Sequence, residues 1–302
     1  MSSVPVDPPN RFALLPFGEL LGERNRQIFS EFARSGQGQV GAVLSLTFIA
    51  IAVFAPLLAP HAAHFSDFEQ ILQGPSAAYP LGTDELGRDQ LSRLILATRV
   101  SMQAGVMATL VAIAIAIPLG LLAGYCGGWL DRVIMRLVDV ALAFPFLVLA
   151  VLMAAVFGPS LWNATLAIGL SQVPYVVRIL RAETLSIAQE EYVASARVSG
   201  VPTLTILLRH VLPNLMNTLI VQATIIIPSA IIAEAVLSFL GLGVQPPTPS
   251  WGVMLSSSQS LIAQAPWLVW APGLAIAAAT ISFNLLGDAL RDVLDPKIAG
   301  PR

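Results

Sequence analysis

Polar and apolar positions in this chain are separated into blocks rather than interleaved. No Asp, Glu, Lys or Arg occurs from Val100 to Leu130, from Val140 to Val177, or from Ala235 to Gly287. A membrane-crossing helix needs roughly 20 apolar residues. The first block therefore has room for one such helix and each of the others for two. The pattern predicts spans over 41–60, 102–124, 134–157, 161–180, 211–240 and 268–289. The expected fold is all-α, a polytopic membrane protein with six transmembrane helices. Gly158-Pro159-Ser160 breaks the third span from the fourth, and Pro228 predicts a kink inside the fifth. The expected organisation is a tail over 1–38, a first span with an extracytoplasmic segment over 39–101, and a core over 102–290. The core contains a polar loop over 183–210, and a second tail covers 291–302.

Composition supports the same class. The chain is 56% hydrophobic and 11% charged, where a soluble domain carries about a quarter charged residues. The one lysine, Lys297, is not in a GxxxxGK[ST] context, so no P-loop ATPase is expected. No basic cluster points to nucleic acid. The lone Cys126 leaves no internal disulfide or CxxC metal site. The first 38 residues are polar, with prolines and arginines, so the first span reads as an uncleaved anchor. Within that tail, Glu23 to Arg34 reads either as a surface helix with Ile28, Phe29 and Phe32 facing lipid or as a flexible terminus.

Basic residues fall in the two tails, the 125–136 turn and the 178–210 segment, whereas the opposite side has only Arg88, Arg93 and Arg99. By the positive-inside rule both termini are cytoplasmic. On the outside, Asp84–Arg88 and Asp89–Arg93 are i,i+4 pairs on a helix expected over 84–99, capped by Thr83 or Asp84. His61 and His64, with Asp67 and Glu69 nearby, are a thin metal pattern. Two histidines without a third ligand rarely bind a metal, so none is expected.

Ionisable groups inside spans are costly and are functional candidates. Asp139 lies near the cytoplasmic face with Arg136 three residues before it, as either a structural ion pair or a translocation residue. Glu234 is deeper and has no basic residue in reach on its own helix. It reads as a translocation or gating candidate, or as a helix-packing hydrogen bond.

The polar loop holds Glu190-Glu191-Tyr192-Val193-Ala194-Ser195-Ala196-Arg197-Val198-Ser199-Gly200. Two acids open this helix and suit its positive end. Ala194, Ser195 and Ala196 are small, and Gly200 stands where a helix ends with positive φ. After Val201-Pro202, a second short helix is expected over TLTILLRHVLPN. The small residues would let another protein approach closely; the plainer alternative is an interfacial loop.

Gly200 followed by Leu212-Pro213 resembles the EAA loop of ATP-binding-cassette (ABC) importer permeases. LGTDELGRDQLSRLILATRVS (81–101), DVALAFPFLVLA (139–150), AEAVLSFLGLGVQPPTPSWGVML (233–255) and GDALRDVLDPK (287–297) extend the likeness. They resemble the second permease of the dipeptide, oligopeptide and nickel branch, over about 40–297. The resemblance implies a type I importer fold in the bacterial inner membrane. Glu191, Ala194, Ser195, Ala196, Gly200, Leu212 and Pro213 would form the ATPase-coupling loop. It implies a homologous permease as heterodimer partner, two cytoplasmic ATPase subunits carrying ATP and Mg, and an extracytoplasmic binding protein. This chain would bind no cofactor and catalyse nothing. The implied cargo is peptide; nickel or another small solute is the alternative. In one respect the chain departs from the motif: the glutamate position is Ala194, so EAA reads ASA, and Glu191 one turn earlier can replace the carboxylate. A secondary transporter would not need the docking helix, and an intramembrane enzyme lacks a catalytic constellation here.

Overall fold

The computed structural model describes residues 31–63 and 65–294. His64, most of the expected 23–34 surface helix and Lys297 lie outside them. Ser35 caps α1 (Gly36–Leu58) by accepting from the Gly38 amide. Next come α2 (Gln90–Cys126), α3 (Gly128–Ala143), α4 (Phe146–Phe157) and α5 (Leu161–Ile187). The short α6 (Glu191–Val198) follows. A helical run then starts at Thr203–Ile206 and passes through a π turn (Leu207–Val211) and a 3-10 turn (Leu212–Leu215) into α7 (Met216–Phe239). The short α8 (Trp251–Ser258) and long α9 (Trp267–Leu294) complete the described chain.

The helices α1, α2, α9 and the run Thr203–Phe239 are long and apolar enough to cross a membrane. The pair α3 and α4 makes a fifth span if taken together, but it bends by 85°. The expected single span over 134–157 is therefore corrected. Pro145 offers no N–H and holds Phe144 extended at φ −87°, ψ 121°, so the helix must restart. The expected span at 161–180 sits in α5, which is long but carries Asn163, Ser171, Gln172, Arg178 and Arg181 and is less apolar than the other four. It can be so because α2 covers it: α2 and α5 form the most extensive helix pair of the fold. Their seam is built from small residues. An added Cβ at Gly120 would lie 2.6 Å from the Leu180 Cβ, and one at Gly124 2.6 Å from the Thr184 Cβ. Without a hydrophobic drive between helices in lipid, such close backbone approach supplies the packing. The helix α7 continues unbroken through Pro228.

The outer helix expected over 84–99 is also corrected. Residues 84–88 form a turn, and α2 starts at Gln90, with Asp89 accepting from the Leu91 and Ser92 amides as its N-cap. The boundary placed at 101/102 falls inside this one helix, and α9 runs past the boundary at 290/291. Asp84 does pair with Arg88, Nε to Oδ2 at 2.6 Å. Arg93, however, pairs with Asp84 at 3.3 Å instead of with Asp89. Asp89 is occupied by its cap, by the Ser92 hydroxyl at 2.5 Å and by His61 Nδ1 at 3.2 Å. Among the described residues no three metal-ligating side chains come together.

Candidate functional site

The coupling loop predicted from sequence is a fastened platform. The underside of α6 is one side chain, Val193, fully buried beside Ile206, Val211 and Leu215. The helix closes with the Gly200 amide donating to the Arg197 carbonyl and the Val201 amide to the Ala196 carbonyl, both at 3.1 Å. This pair of bonds needs a left-handed residue, and Gly200 supplies it at φ +74°. Two side chains tie the platform down. The Arg197 guanidinium sits 4.9 Å over the Tyr125 ring at the end of α2. The Tyr192 hydroxyl accepts from Asn214 Nδ2 at 3.1 Å. Burial, and then the Glu190 charge, push the Tyr192 hydroxyl above its ordinary pKa, so it stays protonated at neutral pH.

Glu191, Ala194 and Ser195 face outward, and Ala196 is half-buried. Sequence reasoning missed the apolar neighbours of this face. Val198 is 90% exposed, and Leu204 and Leu208 follow it on the next turns. The run over TLTILLRHVLPN is not one short α-helix, which is a further correction. Pro213 has no amide to donate, and the helix widens and then tightens around it. Leu212 is half-buried and Pro213 exposed.

The intramembrane acids have different partners from those expected. Asp139 pairs with Arg178 of α5 at 2.6 Å, not with Arg136. A second bridge, Arg181 to Asp131 at 2.5 and 2.7 Å, joins the same two helices. Glu234 has no exposed surface. It accepts from Ser101 Oγ of α2 at 2.9 Å and from Ser238 Oγ of α7 at 2.7 Å. The Ser101 bond ties α7 to α2, as a helix-packing hydrogen bond does. An apolar cavity of about 830 Å³ lies where the α3–α4 bend faces α5 and α7, lined by Leu137, Phe146, Ile168, Tyr175, Ile232 and Val236.

The family profile described as "Binding-protein-dependent transport system inner membrane component" matches residues 116–300. The dipeptide transport system permease protein DppC of Alkalihalophilus pseudofirmus is 42% identical over 273 residues, 90% of each chain. The glutathione transport system permease protein GsiD of Pectobacterium atrosepticum is 43% identical, over 90% of this chain and 91% of its own. The di/tripeptide transport system permease protein DppC of Pseudomonas aeruginosa is 44% identical, over 89% of this chain and 92% of its own.

Proposed function

The chain belongs to the family of binding-protein-dependent transport system inner membrane components, and on that premise we propose that it is the peptide-translocating permease subunit of an ATP-driven importer. The observation that carries this reading is the α6 platform. It is anchored below by Val193, closed by Gly200, and small and apolar above at Ala194, Ser195 and Val198. Such a surface suits a groove on another protein. The names of the three relatives all specify short peptides, which supports peptide as cargo.

The mechanism follows from what this surface can do. Two cytoplasmic ATPase subunits, which would carry ATP and Mg, dock on α6 of this chain and of a homologous permease partner. Their closure on ATP moves the two platforms toward each other. An extracytoplasmic binding protein supplies the peptide when the cavity opens outward. Coupling requires only that the ATPases bind ATP better in one arrangement than in the other. The loop and both termini lie in the cytoplasm in this reading, with the chain in a bacterial inner membrane. Reconstitution with the partner permease, ATPases and binding protein tests it. Peptide-loaded binding protein should raise ATP hydrolysis and drive dipeptide uptake. ATP hydrolysis indifferent to the loaded binding protein, with no uptake, would overturn the reading.

A further inference from the structure

Below the apolar cavity, the groove between α5 and α7 changes character. Ile179, Glu183 and Ile187 continue the α5 wall at helical spacing from Tyr175, and Asn217, Thr218 and Gln222 continue the α7 wall. These walls, with Glu190, Tyr192 and Arg291, border an open-sided groove of about 820 Å³. That is within the roughly 300–1,000 Å³ of small-molecule sites. A polar stripe on a membrane-spanning helix must face water, protein or ligand, because lipid cannot satisfy it. Among the described residues, no hydrogen bond engages the side chains of Asn217, Thr218 or Gln222, and no ion pair engages Glu183, Glu190 or Arg291. These polar side chains border the groove.

We propose that this groove is a binding site for the zwitterionic peptide on its way out of the permease, with Glu183 holding the free ammonium group and Arg291 the terminal carboxylate. Asn217, Thr218 and Gln222 line the same groove and replace the water hydrogen bonds of the peptide groups. A peptide bond left unpaired out of water costs free energy that these side chains recover. One wall of the groove, Glu190 and Tyr192, is the start of the coupling platform itself. A bound peptide therefore touches the element that docks the ATPase.

This inference rests on the peptide-permease reading, and the test separates the two. The complete complex is prepared with Cys126→Ala and an Ile187→Cys reporter facing the groove, without binding protein or nucleotide. Maleimide labelling of the reporter is followed with dialanine as probe. Only the empty site reacts, so at ten times its half-protecting concentration dialanine should slow labelling about tenfold. Dialanine capped at both ends as acetyl and amide should not protect. Glu183→Gln should raise the half-protecting concentration about tenfold, the loss of one charged hydrogen bond. Arg291→Gln should do the same, and Arg291→Lys should restore part of it. Uptake with loaded binding protein is measured on the same preparation. Normal dipeptide uptake without protection, or equal protection by the capped peptide, overturns the site and leaves the function standing. Absence of uptake for every peptide, together with no protection, overturns both.

Discussion

A carboxylate with no exposed surface needs donors whose direction is settled, and the serines around Glu234 are settled by the backbone. The Val244 amide donates to Ser238 Oγ at 3.0 Å and the Trp251 amide to Ser101 Oγ at 3.4 Å. Each hydroxyl, already accepting, is left to donate to Glu234. One side chain thereby joins α2, α7 and the segment entering α8. Gly252 adds the close approach, since a Cβ there would run into the Ala235 backbone of α7. Replacing Glu234 by Leu leaves two buried hydroxyl donors without an acceptor, at about 1–3 kcal/mol each; Gln keeps one acceptor and loses less. Thermal unfolding of the solubilised protein should therefore rank wild type above Glu234→Gln and Glu234→Leu last. Equal melting of wild type and Glu234→Leu would show that the network holds nothing. The Asp139–Arg178 pair is a different case. Both side chains are 51% exposed, so its Coulomb attraction is mostly screened where water reaches it.

At the scale of the element, α6 is too short to be stable alone; a helix of this length in water is marginal even in a good sequence. It persists because Val193 is buried, Arg197 covers Tyr125 and the Gly200 turn closes its end. Gly200 isolates the turn for a test. Nothing lies within 4 Å of an added Cβ there, so Gly200→Val clashes with no neighbour and costs only its left-handed backbone, about 1–3 kcal/mol. The spans are untouched and the complex should still assemble. ATP hydrolysis should lose its stimulation by loaded binding protein, and uptake should fall with it. Ser195→Trp attacks the docking face instead, where overpacking costs about 1–3 kcal/mol, and should weaken capture of the ATPase. Unchanged stimulation and uptake in both variants would remove α6 from the coupling path.

At the scale of the whole molecule, orientation is the open quantity, and Cys126 reads it out. The thiol is exposed at the end of α2, and the proposed orientation puts it in the cytoplasm. A membrane-impermeant maleimide should leave it unmodified in intact cells and label it in inverted vesicles; labelling from outside would reverse the topology. Charge-free blocks, breaker residues and Gly200 were readable along the chain because each acts locally. A helix in lipid must satisfy its own backbone, a proline cannot donate, and a left-handed turn selects glycine. The helical class and the polar helix closed by Gly200 therefore needed no tertiary information. Contacts between distant residues decided the rest. Asp139 chose Arg178 over the nearer Arg136, and Arg93 chose Asp84 over Asp89, because helix packing, not sequence spacing, sets which charges meet. The 85° bend at Phe144-Pro145 opened a cavity that hydropathy alone reads as a straight span. The polar groove exists only where α5, α7 and α9 converge. Residues 183, 222 and 291 are far apart in the chain, and no periodicity along one helix records that they share a wall.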